Sequence, residues 1–274
     1  MISQLFRHKI LLWAGLLLLL FGIDAAPVQA VESQEELTKK SLNPVADLIS
    51  LPFQYNQDYG IGTGSTNAMK TVLNIQPVVP VHLNKDWIVI IRTILPVIDM
   101  ESPAPGVSEA SGFGDITQSF FFAPKALVHG WITGVGPVLY YPTASHDQLG
   151  TGKWGIGPTF VVLKQEHGFT YGMLANHISS FAGDSSRPEI SSTFLQPFFT
   201  YTTKTYTSFS VNTESTYDWK TSQWTVPFNF FVTQMLKIKN QPLSLQLGWR
   251  WYAETATGGP GNGIRFALTF LFPE

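Results

Sequence analysis

Apolar and polar residues alternate with a period of two along most of this chain, and helical periodicity is nearly absent. Side chains of a β-strand point alternately to its two faces, so this pattern is typical of strands with one apolar face. The alternation recurs in segments 72–81, 154–162, 224–233 and 243–252. It is clearest near the C-terminal end, where one face carries Ile264, Phe266, Leu268, Phe270 and Phe272. The chain is therefore predicted to be all-β.

Strand length separates the kinds of all-β protein. The alternation predicts about twelve strands, most of them ten or more residues long. Strands of soluble proteins usually have about five or six residues, whereas a tilted strand that crosses a membrane needs about 9–11. The lengths therefore favour a transmembrane antiparallel β-barrel over a soluble sandwich. The predicted spans are 48–59, 69–82, 87–98, 114–123, 131–142, 154–163, 169–181, 190–201, 206–217, 224–236, 243–253 and 264–272.

The connections between these strands alternate in length. Those that follow even-numbered strands are fairly short, and most of those that follow odd-numbered strands are longer. Short periplasmic turns and longer outer loops are typical of bacterial outer-membrane barrels, and an even strand number places both termini in the periplasm. Aromatic residues concentrate near the strand ends, such as Trp87 and Trp131 beside short turns and Trp154 and Trp224 beside long loops. This distribution indicates two aromatic girdles at two membrane interfaces.

The first thirty residues have the composition of an export signal. Arg7 and Lys9 precede a continuous apolar run over 10–23, and small residues follow up to Ala30. A basic start, a short apolar run and a small-residue cleavage site are typical of a secretory signal peptide. We predict that residues 1–30 are removed and that the remaining chain reaches the bacterial outer membrane.

Residues 31–47 differ in character from the predicted barrel, which spans 48–274. Ser33 and Glu36 have the spacing of a helix capping box, and Asn43 before Pro44 is typical of a second helix start. These features predict a short helix in the periplasm or in the lumen. A disordered leader over 31–40 is the alternative.

Composition agrees with a surface that does not face water. Only 13% of the 274 residues are charged, whereas soluble proteins average about 25%. The absence of cysteine excludes disulfides and cysteine-ligated metals, and the scattered histidines lack metal-ligand spacing, so neither a metal nor a cofactor is predicted. A net charge of −2 gives no argument for nucleic-acid binding.

The polar faces of the strands would line the lumen. Ionisable groups inside a membrane barrel are costly unless they are solvated or paired, so they are candidates for a charge network. Arg250 and Arg265 lie on the two final strands and could face a carboxylate such as Glu214 or Asp115. Such a network could plug the barrel or line a pathway. The complete set of lumen and pore candidates is Arg92, Asp115, Glu214, Arg250, Arg265, Asn74, Gln76, Gln196 and Gln246.

Barrel size leaves the state of the lumen open. Eight strands enclose an interior filled by side chains and 16–18 enclose an aqueous channel, so twelve is intermediate. We expect the inner-face glycines Gly134, Gly136, Gly155 and Gly157 to leave local room.

The sequence leaves three alternatives to a channel. His177 and Ser179 are two residues apart, hence on the same strand face, which we expect to point outward near the outer rim, where a lipid ester would lie. A hydrolase needs an orienting third group, and Asn176 points the other way, so an enzyme is not predicted. A structural barrel without transport and a soluble secreted β-protein are the remaining alternatives.

Several stretches together resemble a family of bacterial outer-membrane transporters named for the phenol (meta-cleavage) degradation pathway. They are 43–50 (NPVADLIS), 73–77 (LNIQP), 92–97 (RTILPV), 112–116 (GFGDI), 149–155 (LGTGKWG), 181–184 (FAGD), 195–198 (LQPF) and 270–273 (FLFP). The resemblance covers roughly residues 42–274 and implies an outer-membrane β-barrel that acts as a channel. The chain departs from the general barrel pattern by ending Phe272-Pro273-Glu274 instead of on the aromatic residue.

The predicted function is passive uptake of small aromatic or hydrophobic compounds. The expected partners are outer-membrane lipid, the small-molecule permeant and the barrel-assembly machinery.

Overall fold

The computed structural model describes residues 33–63 and 66–273. The predicted signal peptide lies outside these residues. Among the described residues, no helix combines the length and the apolarity that a membrane crossing requires.

Fifteen strand segments make up a single antiparallel sheet. Three barrel strands are each built from two segments, which are β2 with β3, β5 with β6, and β11 with β12. The segments are β1 (Ile49–Ile61), β2 (Ala68–Ile75), β3 (Val78–His82), β4 (Trp87–Met100), β5 (Ala110–Phe113), β6 (Ile116–Pro124), β7 (Ile132–Tyr141), β8 (Lys153–Glu166), β9 (Phe169–Gly183), β10 (Ser191–Thr202), β11 (Thr207–Thr213), β12 (Ser215–Asp218), β13 (Gln223–Ile238), β14 (Gln241–Glu254) and β15 (Asn262–Phe272).

The sheet closes on itself because the first strand pairs with the last. β1 and β15 are antiparallel neighbours from Ile49 opposite Phe272 to Tyr59 opposite Asn262. The fifteen segments thus form a closed barrel of twelve strands, which confirms the predicted fold class. The predicted spans agree with the observed ones to within a few residues, apart from the three interruptions and a fourth strand that begins earlier, at Ala110.

The two barrel ends differ, as the alternating connections predict. One end carries the connections 83–86, 125–131, 167–168, 203–206 and 239–240 and is called the turn end below. The other end carries the connections 62–67, 101–109, 142–152, 184–190, 219–222 and 255–261 and is called the loop end.

The outward face of the strands is apolar. Leu247, Phe209 and Phe230 are exposed large side chains at strand positions whose neighbours along the chain face the lumen. On β13, the alternate positions Asn229 and Phe231 are buried. This alternation explains why a chain with so few charges has so much apolar surface.

The N-terminal helix α1 (Gln34–Ser41) packs against the turn end of the barrel. The Ser33 hydroxyl accepts a hydrogen bond from the backbone N–H of Glu36, as predicted for the cap. Leu37 is buried in a cluster with Met235 of β13 and Leu271 of β15, together with Ala46 and Leu48. The helix is thus joined to strands that lie far away in sequence.

The second predicted helix start is wrong. The Asn43 side chain accepts from the N–H of Val45 at 3.0 Å, and the backbone turns there without entering a helix. Asn and Asp favour such side-chain turns as readily as helix caps, because both use the same short acceptor. The turn directs Val45 into the barrel.

Val45 belongs to an apolar cluster inside the barrel toward the turn end. Its other buried members are Ile88, Ile90, Phe121, Ala123, Val161, Leu163 and Leu174. Gly134 allows this packing, because a Cβ at that position would lie only 3.0 Å from a methyl group of Val45.

The prediction that inner-face glycines leave room in the lumen is wrong at all four positions, since a Cβ at Gly155 would lie only 2.6 Å from a methyl group of Ile178. The space at Gly134 is occupied by the apolar cluster. A Cβ at Gly136 would overlap the backbone oxygen of Phe120, and one at Gly157 would overlap that of His177. The last two glycines therefore allow close strand approach, which bends the sheet locally.

We expect Gly157→Ala to destabilise the barrel by about 1–3 kcal/mol, because the new methyl group must displace neighbouring backbone. The measurement is the temperature at which the folded band converts to the unfolded one in heat-modifiable gel migration. Gly261→Ala is the matched control, since a Cβ there meets nothing within 4 Å. Equal conversion temperatures for the two variants would contradict the close approach.

Candidate functional site

Two arginines and two carboxylates form an ion-pair belt on the inner wall, nearer the loop end than the apolar cluster. Arg265 of β15 donates to both oxygens of Glu214, at 2.7 and 2.8 Å. Arg250 of β14 donates to both oxygens of Asp58 on β1, at 3.1 and 3.2 Å, and lies 3.8 Å from Glu214. The belt joins strands from the two ends of the sequence across the closing seam.

A neutral neighbour accepts from the Nε–H of each arginine. Arg250 donates to Asn229 at 3.2 Å, and Arg265 donates to Asn56 at 2.6 Å. Arg265 also lies over the ring of Phe231, 5.0 Å from its centre. The pair of Arg265 with Glu214 is two-pronged, which fixes geometry as well as charge and holds these two side chains in place.

The alternation of strand faces positions Glu214. This residue lies between β11 and β12, and the register with β10 is the same on both sides of it, at the Phe198–Asn212 pair and at the Leu195–Ser215 pair. Glu214 is mostly buried and faces the two arginines. It lies two residues after the inward-facing Asn212, so the period of two places its carboxylate on the inner wall at the middle of the belt.

Two further cations line the same region. Arg92 of β4 donates to Gln76 at 2.7 Å, and Gln76 lies in the break between β2 and β3. Lys70 of β2 is the register partner of Asp58. With Arg250 and Arg265 this gives four cations against the two belt carboxylates, so the local charge is positive.

Asp115 lies elsewhere, at the loop end. Its carboxylate accepts from the Tyr140 hydroxyl, from the backbone N–H of Ala144 and Thr151, and from the Thr151 hydroxyl. These bonds tie the 142–152 connection to the barrel wall. The structure therefore does not bring Asp115 to the arginines. Asp58 is instead the second carboxylate that faces them.

The remaining predicted lumen residues are dispersed along the wall. Gln246 donates to Thr233 at 3.1 Å, Asn74 pairs in register with Gln54, and Gln196 pairs with Leu174. These three residues add polar surface without joining the ion-pair belt.

A second interaction that fixes a loop to the barrel wall, the ion pair of Lys153 with Glu189, depends on pH. Lys153 donates to Glu189 at 2.6 Å, and Ser180 donates to the same carboxylate. The hydrogen bond from Lys153 and then that from Ser180 hold the pKa of Glu189 below its usual value. The tie is complete at neutral pH and is lost as the pH falls through that lowered pKa.

The belt and its immediate neighbours include residues that were not among the predicted lumen candidates. Asp58 and Asn229 are both buried on the inner wall and bind Arg250. A signal was available for Asp58, because it lies two residues after the lumen-facing Asn56 and therefore on the same strand face. Lys70 had the same kind of signal, since it lies four residues before Asn74.

His177 and Ser179 lie outside the lumen, on the outward face of β9. The imidazole Nε2 is 3.0 Å from the serine Oγ. Within the described ranges 33–63 and 66–273, no three His, Asp or Glu side chains are grouped as a metal site requires.

Comparison with known proteins identifies the fold. No protein-family model and no curated protein matches the chain. Among solved structures, an outer membrane channel from Pseudomonas putida F1 superposes with a TM-score of 0.65 at 16% identity, over 90% of this chain and 100% of that one. This similarity supports the outer-membrane β-barrel fold.

Two further solved structures are more distant. The NanC porin gives a TM-score of 0.48 at 10% identity, over 82% of this chain and 100% of that one. An active-site mutant of outer membrane phospholipase A from Escherichia coli also gives 0.48 at 10% identity, over 89% and 99%.

We expect Glu214→Gln to lower the free energy of unfolding by about 3–5 kcal/mol, because the neutral amide leaves the buried guanidinium of Arg265 without a counter-charge and that of Arg250 with Asp58 alone. The measurement is the denaturant midpoint of barrel unfolding in detergent. Glu254→Gln, at the exposed end of β14, is the control and should leave the midpoint unchanged. If both variants unfold at the same midpoint, the belt contributes nothing to stability.

Proposed function

We propose that this chain is an outer-membrane channel for the passive permeation of small solutes. The observation that carries the proposal is the ion-pair belt, since charged groups inside a membrane barrel need water or partners. Four cations and two carboxylates line one region of the wall, and the outward face of the same strands is apolar. This combination suits a wetted interior within a lipid bilayer.

The outer membrane is the proposed location. The outward apolar band is bordered by exposed tryptophans, with Trp87 and Trp131 at the turn end and Trp154 and Trp219 at the loop end. Tryptophan prefers the membrane interface, so the two groups mark where lipid would meet water. The turn end then faces the periplasm, together with helix α1.

The wall chemistry favours a particular solute class. Arg92 lies on the same face of β4 as Ile90, and its register partner is Val78, which packs against the apolar cluster. A guanidinium beside an apolar surface suits a small aromatic compound that carries a hydroxyl or carboxylate group. We propose such compounds as permeants. The resemblance to transporters named for phenol degradation agrees with this class.

The excess of positive charge predicts a preference for anions. We expect the parent chain in planar bilayers under a salt gradient to show a reversal potential on the anion-selective side. Arg92→Gln should shift this potential toward the cation-selective side, since it removes one positive charge from the wall.

Lys125→Gln, at an exposed position of a turn, is the matched control and should leave the selectivity unchanged. Lack of conductance in both the parent and the variants would overturn the channel and leave a structural barrel.

Helix α1 is expected to limit the conductance, because it packs across residues of β13 and β15 at the turn end. Leu37→Asp places a charge in that buried contact and should undock the helix, which raises the single-channel conductance. Glu35→Gln, on the exposed side of the helix, should not change it. A smaller or unchanged conductance for Leu37→Asp would show that the helix does not restrict the path.

A further inference from the structure

A connected group of polar side chains lies on the outward face of the barrel, on two neighbouring strands. Ser179 Oγ is 3.0 Å from His177 Nε2 on β9, and His177 Nδ1 is 2.8 Å from Thr193 Oγ1 on β10. The register places Thr193 directly opposite His177. The third group that the sequence did not reveal is therefore supplied by the neighbouring strand.

The orientation of this group suits proton transfer away from Ser179. The indole N–H of Trp219 donates to Thr193 Oγ1 at 2.9 Å, and an indole nitrogen can only donate. The hydroxyl of Thr193 has a second lone pair that can accept from the N–H at Nδ1 of His177. In that tautomer Nε2 is unprotonated and accepts the hydrogen bond of the Ser179 hydroxyl.

The surroundings place these side chains at a membrane interface. Ser179 lies near the loop end of β9, and its register partner on β8 is the exposed Ile156. Tyr217 is the register partner of Thr193 and contacts both Trp219 and Trp224, with ring centres 4.8 and 4.9 Å apart. Aromatic girdles of this kind lie at the level where the ester bonds of lipids lie.

We propose that Ser179, His177 and Thr193 form a serine hydrolase site that acts on carboxylic esters of membrane lipids. Ser179 Oγ attacks the ester carbonyl carbon and forms a C–O bond while His177 Nε2 takes its proton. The tetrahedral intermediate collapses, the bond to the alcohol breaks, and His177 returns the proton to the leaving alcohol. Water, deprotonated by His177 Nε2, then attacks the acyl carbon. The bond from that carbon to Ser179 Oγ breaks, His177 returns the proton to Oγ, and the fatty acid leaves.

Ser179 and His177 are the catalytic residues in this scheme, and Thr193 is a positioning residue. Thr193 holds the imidazole through Nδ1 and is itself held by Trp219. This activity is independent of permeation, because the lumen faces the other side of the same strands.

The test uses the full folded chain in vesicles or mixed micelles of phosphatidylcholine, with released fatty acid measured over time. We expect hydrolysis by the parent, and a loss of about 100-fold or more in Ser179→Ala and in His177→Asn. Ser191→Ala is the matched control, since Ser191 is opposite Ser179 in register on the same outward face and should be dispensable. Heat-modifiable migration shows that each variant is folded.

Thr193 is tested by a pair of variants. Thr193→Val keeps the shape of the side chain but cannot accept a hydrogen bond from Nδ1, so we expect the hydrolysis rate to fall by about tenfold. Thr193→Ser keeps the hydroxyl and should retain the rate of the parent. A purely structural Thr193 would change stability without changing the pH profile of hydrolysis. A pH profile that is the same for Thr193→Val and the parent would overturn its positioning role.

A chemical readout does not depend on turnover. A fluorophosphonate reagent should modify Ser179, located by mass spectrometry, and His177→Asn should abolish the modification. The hydrolase site would be overturned if the parent released no more fatty acid than folded Ser179→Ala. Equal labelling of Ser179 and Ser191 by the reagent would also overturn it. We expect Ser179→Ala to keep the bilayer conductance of the parent, so a loss of hydrolysis in this variant can be distinguished from a loss of channel activity.

Discussion

Closure of the sheet by the pairing of β1 with β15 is the constraint on which the rest of the structure depends. Hydrocarbon offers no hydrogen-bond partners, so a spanning sheet is possible only when every strand edge is paired. The closing seam also carries the polar interior, because Asn56 and Arg265 are register partners across it and are hydrogen bonded through their side chains. The backbone ladder and the ion-pair belt therefore stabilise the same junction.

The interior is divided into layers with different chemistry. Apolar residues around Ile90 and Phe121 pack in the region toward the turn end, whereas Arg250 and Arg265 lie in the region nearer the loops. Each layer is stabilised by contacts within it, since the apolar side chains contact one another and the charged ones have hydrogen-bonding partners. A solute that crosses such a barrel would meet both layers in sequence.

The sequence was a good guide to the strands and a poorer one to their contacts. A period of two is a local property, so it located twelve strands and their inward faces without any knowledge of pairing. The partnership of Asp58 with Arg250 depends instead on a register between residues at opposite ends of the chain, and Thr193 reaches His177 only through the alignment of β10 with β9. The prediction that Gly157 leaves room in the lumen failed for a related reason. The space at this glycine is limited by the backbone of the neighbouring strand, which the local sequence does not show.

The packing of helix α1 has a consequence for the order of assembly. Leu37 contacts Met235 and Leu271, so its docking surface is created by β13 and β15 together. That surface does not exist until the last strand has taken its place beside β14. The helix near the start of the chain therefore reaches its final position only after strands near the end of the chain have been placed side by side.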